Sequence, residues 1–503
     1  MDIKNMRDIV NYAAAAYGDD TAIKYKVGKE IEEKSYRQLK EDSESFSRGL
    51  EGLELLGKHI GIIGPTSYAW VVGYFGTVNS GSVIVPLDAQ LPGEDICELL
   101  NRSDAEALVF DEKRSDVARL ARVKCPCLRF LISMQEWEQE NEYLSFQRLI
   151  RENRGSFYAE LDDHALCAIL FTSGTTGKSK GVMLSHRNLS DNATCLDMKI
   201  SRGTVSMTLL PIHHAYCFTM DILKALYIGM VICMNDSLMR VQKNMKLFKP
   251  EIVLLVPMVI ETIYGKLRDT TGLLSKRMIA RAAFGGRLRT ICSGGAFLNP
   301  ELVDVFKEYG ITILQGYGMT ECSPVISTNL EWDCRNCSVG KLLPNCEAKT
   351  VDGEIWVRGS SVMMGYYNMP EETRETLEDG WLKTGDLGYV DSDGFLYLTG
   401  RKKNLIILKN GENISPEELE NEIGKNPLVK EILVKEADNV IQAEIYPNCD
   451  YAKRKRIKNI AEELQGVIDT YNESQPVYKR VHSLSVRETE FEKTASQKIK
   501  RNI

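Results

Sequence analysis

Within the eleven positions Thr172 to Val182, in the run FTSGTTGKSKGVML, stand three glycines, five hydroxyl residues and two lysines. Glycine lets backbone N–H groups approach an anion closely, hydroxyls donate hydrogen bonds without bulk, and lysine supplies charge. That mixture serves to hold a polyphosphate. Its candidate contacts are Thr172, Ser173, Gly174, Thr175, Thr176, Gly177, Lys178 and Lys180. The nearest alternative is a P-loop, GxxxxGK[ST], of which Gly177-Lys178-Ser179 supplies the second half. The first glycine of that pattern falls on Thr172, and the apolar segment Gly181 to Leu184 that follows is strand-like where a P-loop opens into a helix. A flexible hairpin with no ligand is the remaining alternative.

Seven further stretches carry residues able to do chemistry. LPIHHAY (Leu210 to Tyr216) sets two histidines in an apolar context, where burial without partners is costly. ICSGGAFL (Ile291 to Leu298) places Gly294, Gly295 and Ala296 just after a strand, at the end where α/β sheets bind ligands. A plain tight turn is the other reading there. QGYGMTECS (Gln315 to Ser323) contains Gly316-x-Gly318, but the third glycine of a dinucleotide fingerprint is replaced by Glu321. GWLKTGDLG (Gly380 to Gly388) runs on to YLTGRKK (Tyr397 to Lys403); KNGENISP (Lys409 to Pro416) and FEKTASQKIKR (Phe491 to Arg501) complete the series.

In this order the stretches resemble the motifs of the AMP-forming acyl and aryl ligases: fatty acyl-CoA synthetases, aryl-acid ligases, luciferases and peptide-synthetase adenylation domains. The matches run from Phe171 to Arg501, and their wording looks most like bacterial fatty acyl-CoA synthetases. The resemblance implies ATP-dependent activation of a carboxylic acid to acyl-AMP with pyrophosphate release, then transfer to a thiol, with ATP, Mg²⁺ and CoA as cofactors. It implies that His214 lines the carboxylate site, that Gly294, Gly295 and Ala296 pack against adenine and the acyl pocket floor, and that Tyr317 stacks on adenine. Thr320 would bond the α-phosphate and Glu321 would hold Mg²⁺, a hard cation that wants oxygen ligands. Asp386 would accept both ribose hydroxyls, Arg401 would reach the ribose, Lys403 would be the hinge, and Gly411 would leave the thiol tunnel open. Lys498 would contact the carboxylate and α-phosphate; the residue before it, usually glycine in the family, is Gln497 here.

The resemblance favours a medium- or long-chain fatty acid, with an aryl acid as the alternative. The thiol belongs to CoA or to the phosphopantetheine of an acyl carrier protein; Lys453 to Lys458 (KRKRIK) would meet either partner's phosphate or acidic face, or would be a solvated helix face. Two readings of another class stand against these. A P-loop ATPase is opposed by the missing first glycine, and a non-catalytic nucleotide-binding protein would be expected to have lost Glu321 or Lys498.

The elements that must position these residues alternate between strand-like and helix-like over roughly the first 400 residues: His59 to Ile63, Ser67 to Val78, Ser82 to Pro86, then later Ile252 to Pro257, Met258 to Leu267 and Leu288 to Cys292. Such alternation predicts an α/β fold, a large N-terminal domain of α/β layers with mostly parallel sheets. After a tight turn at Asp391 to Gly394 the pattern changes to a small, mobile α+β domain, with a helix capped by Ser415 and strands around Glu431 to Val434 and Ile441 to Ile445. The expected division is an adenylation domain over 1–400, a hinge at 401–404 and a C-terminal lid over 405–503.

Composition sets the outer bounds. A length of 503 residues calls for more than one domain, and a net charge of −7 argues against nucleic acid as a partner, whose binders usually show a basic face. The longest apolar run, Ile252 to Ile260, has nine residues, so no transmembrane segment is expected. Charges run through the N-terminal stretch where a signal peptide would be apolar, which with the scattered, odd number of cysteines (13) predicts a cytoplasmic protein. Cys334-x-x-Cys337, with Cys346 nearby, is the one pair with metal-ligand spacing; without a second pair it reads as reduced loop cysteines.

Overall fold

A computed structural model describes residues 3–136, 143–172, 179–268, 270, 275–407, 413–437, 440–493 and 499–501. The chain divides into two compact units. The larger comprises Met1–Gly295, Leu302–Glu347 and Val357–Leu382; the smaller comprises Ala296–Glu301, Ala348–Trp356 and Lys383–Ile503.

Two sheets build the larger unit. In the eight-stranded sheet, His59–Ile63, Val83–Leu87, Ala105–Phe110, Phe130–Ser133 and Leu166–Thr172 run parallel. Their short apolar runs (HIGII, VIVPL) are buried nearly throughout, the pattern of parallel strands covered on both faces. Helix Tyr68–Asn79 shows the covering: Ser67 caps it, and ten of its twelve residues are buried, so it is a core helix and not a surface one. In the nine-stranded sheet the parallel core is Val231–Met234, Val205–Thr208, Ile252–Leu255, Thr290–Ser293 and Thr312–Gly318. The α/β class with mostly parallel sheets is therefore as the sequence predicts.

The smaller unit pairs Val429–Ala437 antiparallel with Val440–Pro447, to which Ser483–Val486 adds in parallel. Helices Pro416–Ile423 and Ile460–Glu473 cover this sheet through Leu419, Ile423, Leu464 and Ile468. Ser415 and Pro416 stand at the expected cap and first-turn positions, but the Ser415 hydroxyl donates to Glu417 at 3.0 Å and does not cap the backbone. The basic run Lys453 to Lys458 crosses the end of helix Cys449–Lys455, where Arg456 turns left-handed, and its charged side chains are exposed. Among the described residues no helix is long and apolar enough to cross a membrane.

Helix His186–Thr194, which follows the strand Lys180–Ser185, begins with a buried titratable group. His186 is 1% exposed, its Nδ1 has no hydrogen-bond partner, and burial, with Arg7 nearby, lowers its pKa from 6.5 to about 4. Between those values the unfolded chain binds a proton that the folded chain refuses. Stability is therefore unaffected above pH 6.5 and falls as pH drops towards 4, at up to about 1.4 kcal/mol per pH unit. Melting temperatures measured from pH 7 to pH 4.5 should fall, and His186→Gln should flatten the decline; an unchanged slope would rule the residue out as its source.

Candidate active site

Leu166–Thr172 and Lys180–Ser185 are antiparallel neighbours, with Thr172 opposite Lys180. A strand therefore follows the glycine-rich run, as the sequence reading requires and a P-loop does not. Ser173, Gly174, Thr175, Thr176, Gly177 and Lys178 lie outside the described residues. The base of the run is held by a residue that no motif flags: Arg102 donates to the Ser179 carbonyl at 2.6 Å and lies over the Phe171 ring.

Thr320 and Glu321 sit on a short 3-10 turn, Thr320–Cys322, just past the strand Thr312–Gly318. Gly318 makes the turn possible: a Cβ there would lie 2.0 Å from the Pro324 carbonyl oxygen, which accepts from the Met319 N–H. Packing thus explains the second glycine of Gly316-x-Gly318 without a dinucleotide. The Tyr366 hydroxyl donates to Glu321 Oε1 at 3.0 Å, while Lys180 Nζ stands 4.7 Å from the centre of the same ring. Burial and the Glu321 charge push the Tyr366 hydroxyl pKa up, so it stays a donor. Tyr366 therefore links the edge of the glycine-rich run to the carboxylate, although sequence reading gave it no role.

Asn192 fixes this turn from behind. Its side-chain amide donates to the carbonyls of Cys322 and Val325 at 3.2 and 2.8 Å, and its oxygen accepts from the Val325 N–H at 3.2 Å. Ser323 Oγ donates to the Ser361 carbonyl at 2.9 Å, and Thr219 Oγ1 donates to the Ser323 carbonyl at 3.0 Å. Asn192→Ala would leave buried backbone groups unpaired, each costing about 1–3 kcal/mol. The variant should melt well below the parent and lose Mg-ATP turnover more than Asn192→Asp, which keeps the acceptor; equal activity in all three would refute a positioning role.

His214 precedes the one-turn helix Ala215–Cys217, and its ring lies 4.2 Å from that of His213. It is accessible to water yet crowded by protein atoms, the signature of a concave surface, and that crowding lowers its pKa while Asp88 opposes the shift. His213 is more deeply set. Burial, then His214, lowers its pKa to about 3, so at neutral pH its approach to Asp88 (3.8 Å) joins a neutral imidazole to a carboxylate and is no ion pair. Asp88 had no place in the sequence reading.

Gly294 and Gly295 follow the strand Thr290–Ser293 at its C-terminal end. A Cβ on Gly294 would come within 3.1 Å of the Tyr216 ring, and Gly295 has φ +85°, which favours glycine. Ala296, next in the chain, is exposed, whereas Tyr317 shows only 9% of its surface.

In the smaller unit Asp386 is 4% exposed and pairs across the strands Trp381–Val390 and Leu396–Arg401 with Arg401, whose Nε lies 2.7 Å from Asp386 Oδ1. Glu354 braces this corner: one carboxylate oxygen accepts from the Gly385 N–H at 2.9 Å and the other meets Lys402 Nζ at 2.8 Å. Burial opposes its ionisation, but Lys402 and the Gly385 bond outweigh that and lower its pKa. Lys403 stands exposed on the 3-10 turn Lys402–Asn404, its pKa lowered by local crowding and by Arg401 and Arg501.

Gly411 and Lys498 lie outside the described residues. What flanks Lys498 is firmly tied: Lys493 bridges to Ile499, the Lys500 N–H donates to the Glu492 carbonyl at 2.8 Å, and Lys493 Nζ meets Glu431 at 2.5 Å. Arg501 pairs with half-buried Glu420, whose pKa desolvation raises to about 7 against the pull of that guanidinium. Cys334 and Cys337 are exposed free thiols, and all 13 cysteines are free. Among the described residues no group of three or more His, Cys, Asp or Glu side chains could hold a metal. A single carboxylate on a turn, Glu321, fits a hard divalent ion that takes its other ligands from water and phosphates.

Comparison with known proteins gives the family. The AMP-binding enzyme family model matches residues 10–367, and that of the AMP-binding enzyme C-terminal domain matches residues 403–503. The long-chain-fatty-acid–CoA ligase FadD15 of Mycobacterium bovis is 29% identical over 430 residues, covering 75% of this chain and 71% of its own. The long-chain-fatty-acid–CoA ligase of Escherichia coli O157:H7 is 27% identical over 479 residues, 85% of this chain and 82% of its own. Among solved structures, the anthranilate CoA ligase AuaEII in complex with anthranoyl-AMP superposes with a TM-score of 0.85 at 24% identity, over 98% of this chain and 95% of its own.

Proposed function

Since this chain belongs to the AMP-binding enzyme family and is an AMP-forming acid–CoA ligase, we propose that the acid it activates is a medium- or long-chain fatty acid. The observation that carries the choice is the strand end Gly294-Gly295, two residues without side chains that lie beside Tyr216 and Val256 and would leave room for an acyl chain. Relatives named for long-chain fatty acids support it. The thirteen free thiols suit a reducing, cytoplasmic setting.

In the first half-reaction a carboxylate oxygen attacks the α-phosphorus of ATP, pyrophosphate leaves, and acyl-AMP forms. Residues 172–178 and Lys180 hold the phosphates, Thr320 bonds the α-phosphate, and neutral His214 orients the carboxylate by a hydrogen bond. Glu321, kept in place by Tyr366, is the protein ligand for Mg²⁺, which supplies neutralisation of phosphate charge when bound. Tyr317 and the Gly294-Gly295-Ala296 turn take adenine, and Asp386 with Arg401 takes the ribose. Lys498 neutralises charge that grows as pyrophosphate departs, a preorganised electrostatic contribution. In the second half-reaction residues 405–503 turn about a hinge at 401–404, with Lys403 absorbing the rotation against the domain formed by 1–400. Lys498 then withdraws, Gly411 leaves room for pantetheine, the CoA thiol attacks the acyl carbonyl, and AMP leaves.

The test is pyrophosphate release from Mg-ATP with a panel of fatty and aryl acids, with and without CoA. A burst with C8–C18 acids that CoA converts to sustained turnover is the expected result. Turnover with aryl acids alone would overturn the fatty-acid assignment, and a burst that CoA does not sustain would point to a carrier-protein thiol.

A further inference from the structure

Charge is unevenly spread along this chain. Residues 240–289 contain eleven Lys and Arg against three Asp and Glu, a net of +8, whereas the whole chain carries −7; the other residues therefore hold −15. Such sign asymmetry marks a surface for anions. The structure gathers part of it at one place. A cavity of about 640 Å³ is rimmed by Arg277, Arg281, Arg287 and Arg289 and floored by Phe284 and Tyr309. That volume is in the range of small-molecule sites.

Its position sets it apart from the catalytic edge. Glu251, Arg289 and Ile311 come immediately before the strands Ile252–Leu255, Thr290–Ser293 and Thr312–Gly318. Val256, Gly294 and Met319 come just after the same strands, on the side assigned to adenine and the acid. The two shorter strands have four residues each, at about 3.3 Å per residue, so the two ends are separated by roughly 13 Å or more of sheet.

The rim is built for an anion. Arg277 and Arg281 are four apart on helix Lys276–Phe284, which places them on one face. Neither has an acidic partner among the described residues, and the Arg277 stem lies across Gly310, where an added Cβ would meet its Cγ at 3.5 Å. Opposite them, one carboxylate, Glu251, holds two guanidiniums side by side: Arg287 at 2.7 Å and Arg289 at 2.6 Å. Guanidiniums that line one cavity can match phosphate oxygens, and the apolar Phe284 and Tyr309 beside them suit the ring or chain attached.

We propose that this cavity is a second anion site, which takes a phosphate-bearing small molecule at the end of the sheet remote from catalysis. The proposal is independent of which acid the enzyme activates. Calorimetric titration of the full-length protein with ADP should show two equivalents bound, one of them lost in Arg277→Glu/Arg281→Glu. That class should weaken by about tenfold or more for each guanidinium removed and should weaken further with salt. Inorganic pyrophosphate, titrated separately, assigns the source. Comparable affinity at this site makes free phosphates the ligand class, and a clear preference for ADP brings the apolar floor into recognition. Arg277→Gln/Arg281→Gln serves as a milder variant, and unchanged melting and pyrophosphate release show that either variant is folded. A single equivalent of ADP in wild type, or a second class untouched by both variants, would overturn the proposal.

Discussion

Lys498→Ala should lower the rate of acyl-AMP formation by roughly 10²–10³, about 2.7–4 kcal/mol of transition-state stabilisation, while leaving thioester formation from supplied acyl-AMP near the parent rate. The asymmetry follows from the two half-reactions. Negative charge builds on the phosphates only while pyrophosphate leaves, so a cation at the α-phosphate matters then and not when a thiol attacks the acyl carbonyl. The anchors that flank Lys498 sharpen the test. Arg501→Ala leaves half-buried Glu420 without its guanidinium and frees one end of the tail. It should reproduce the selective loss in part and also lower the melting temperature, whereas Lys498→Ala should leave melting unchanged. Equal loss in both half-reactions would contradict a domain that alternates between two tasks.

Asp386→Ala should weaken ATP binding by roughly 10²–10⁴. An ionised carboxylate offers two acceptor oxygens to the two ribose hydroxyls, and hydrogen bonds to a charged group contribute about 1.5–3 kcal/mol each. Both KM for ATP and the directly measured affinity for AMP should show the loss, since a ribose contact would not change between ground and transition states. Part of the effect would be indirect, because Arg401 loses its partner at 2.7 Å. Asp386→Ala/Arg401→Ala separates the two: if the double variant binds AMP no worse than the single, the guanidinium acts through Asp386, and if it binds worse, Arg401 reaches the nucleotide itself. Unaltered AMP affinity in Asp386→Ala would remove the ribose assignment.

Much of the fold was legible because its signals are local. The apolar runs of the parallel strands, the helical stretch from Ser67 and the turn at Asp391 to Gly394 depend on residues within a few positions of one another. At Ser415 local reading failed: the hydroxyl donates to Glu417, two residues on, and packs against Gly400, where a Cβ would lie 2.1 Å from that oxygen.

The candidate site divides in the same way. By itself the sequence determined the family and the chemical groups available, since the glycine-rich run, YGMTE, TGD and the C-terminal lysine are contiguous words whose meaning lies in residue type and order. Only the tertiary structure decided what holds those groups in position. Tyr366 reaches Glu321 from 45 residues away, Arg102 reaches Ser179 from 77, and Asn192 reaches Val325 from 133. None of these belongs to a motif, because a tyrosine, arginine or asparagine that satisfies a buried polar group is chosen by the geometry of the space it fills. That geometry exists only once strands far apart in the chain lie side by side.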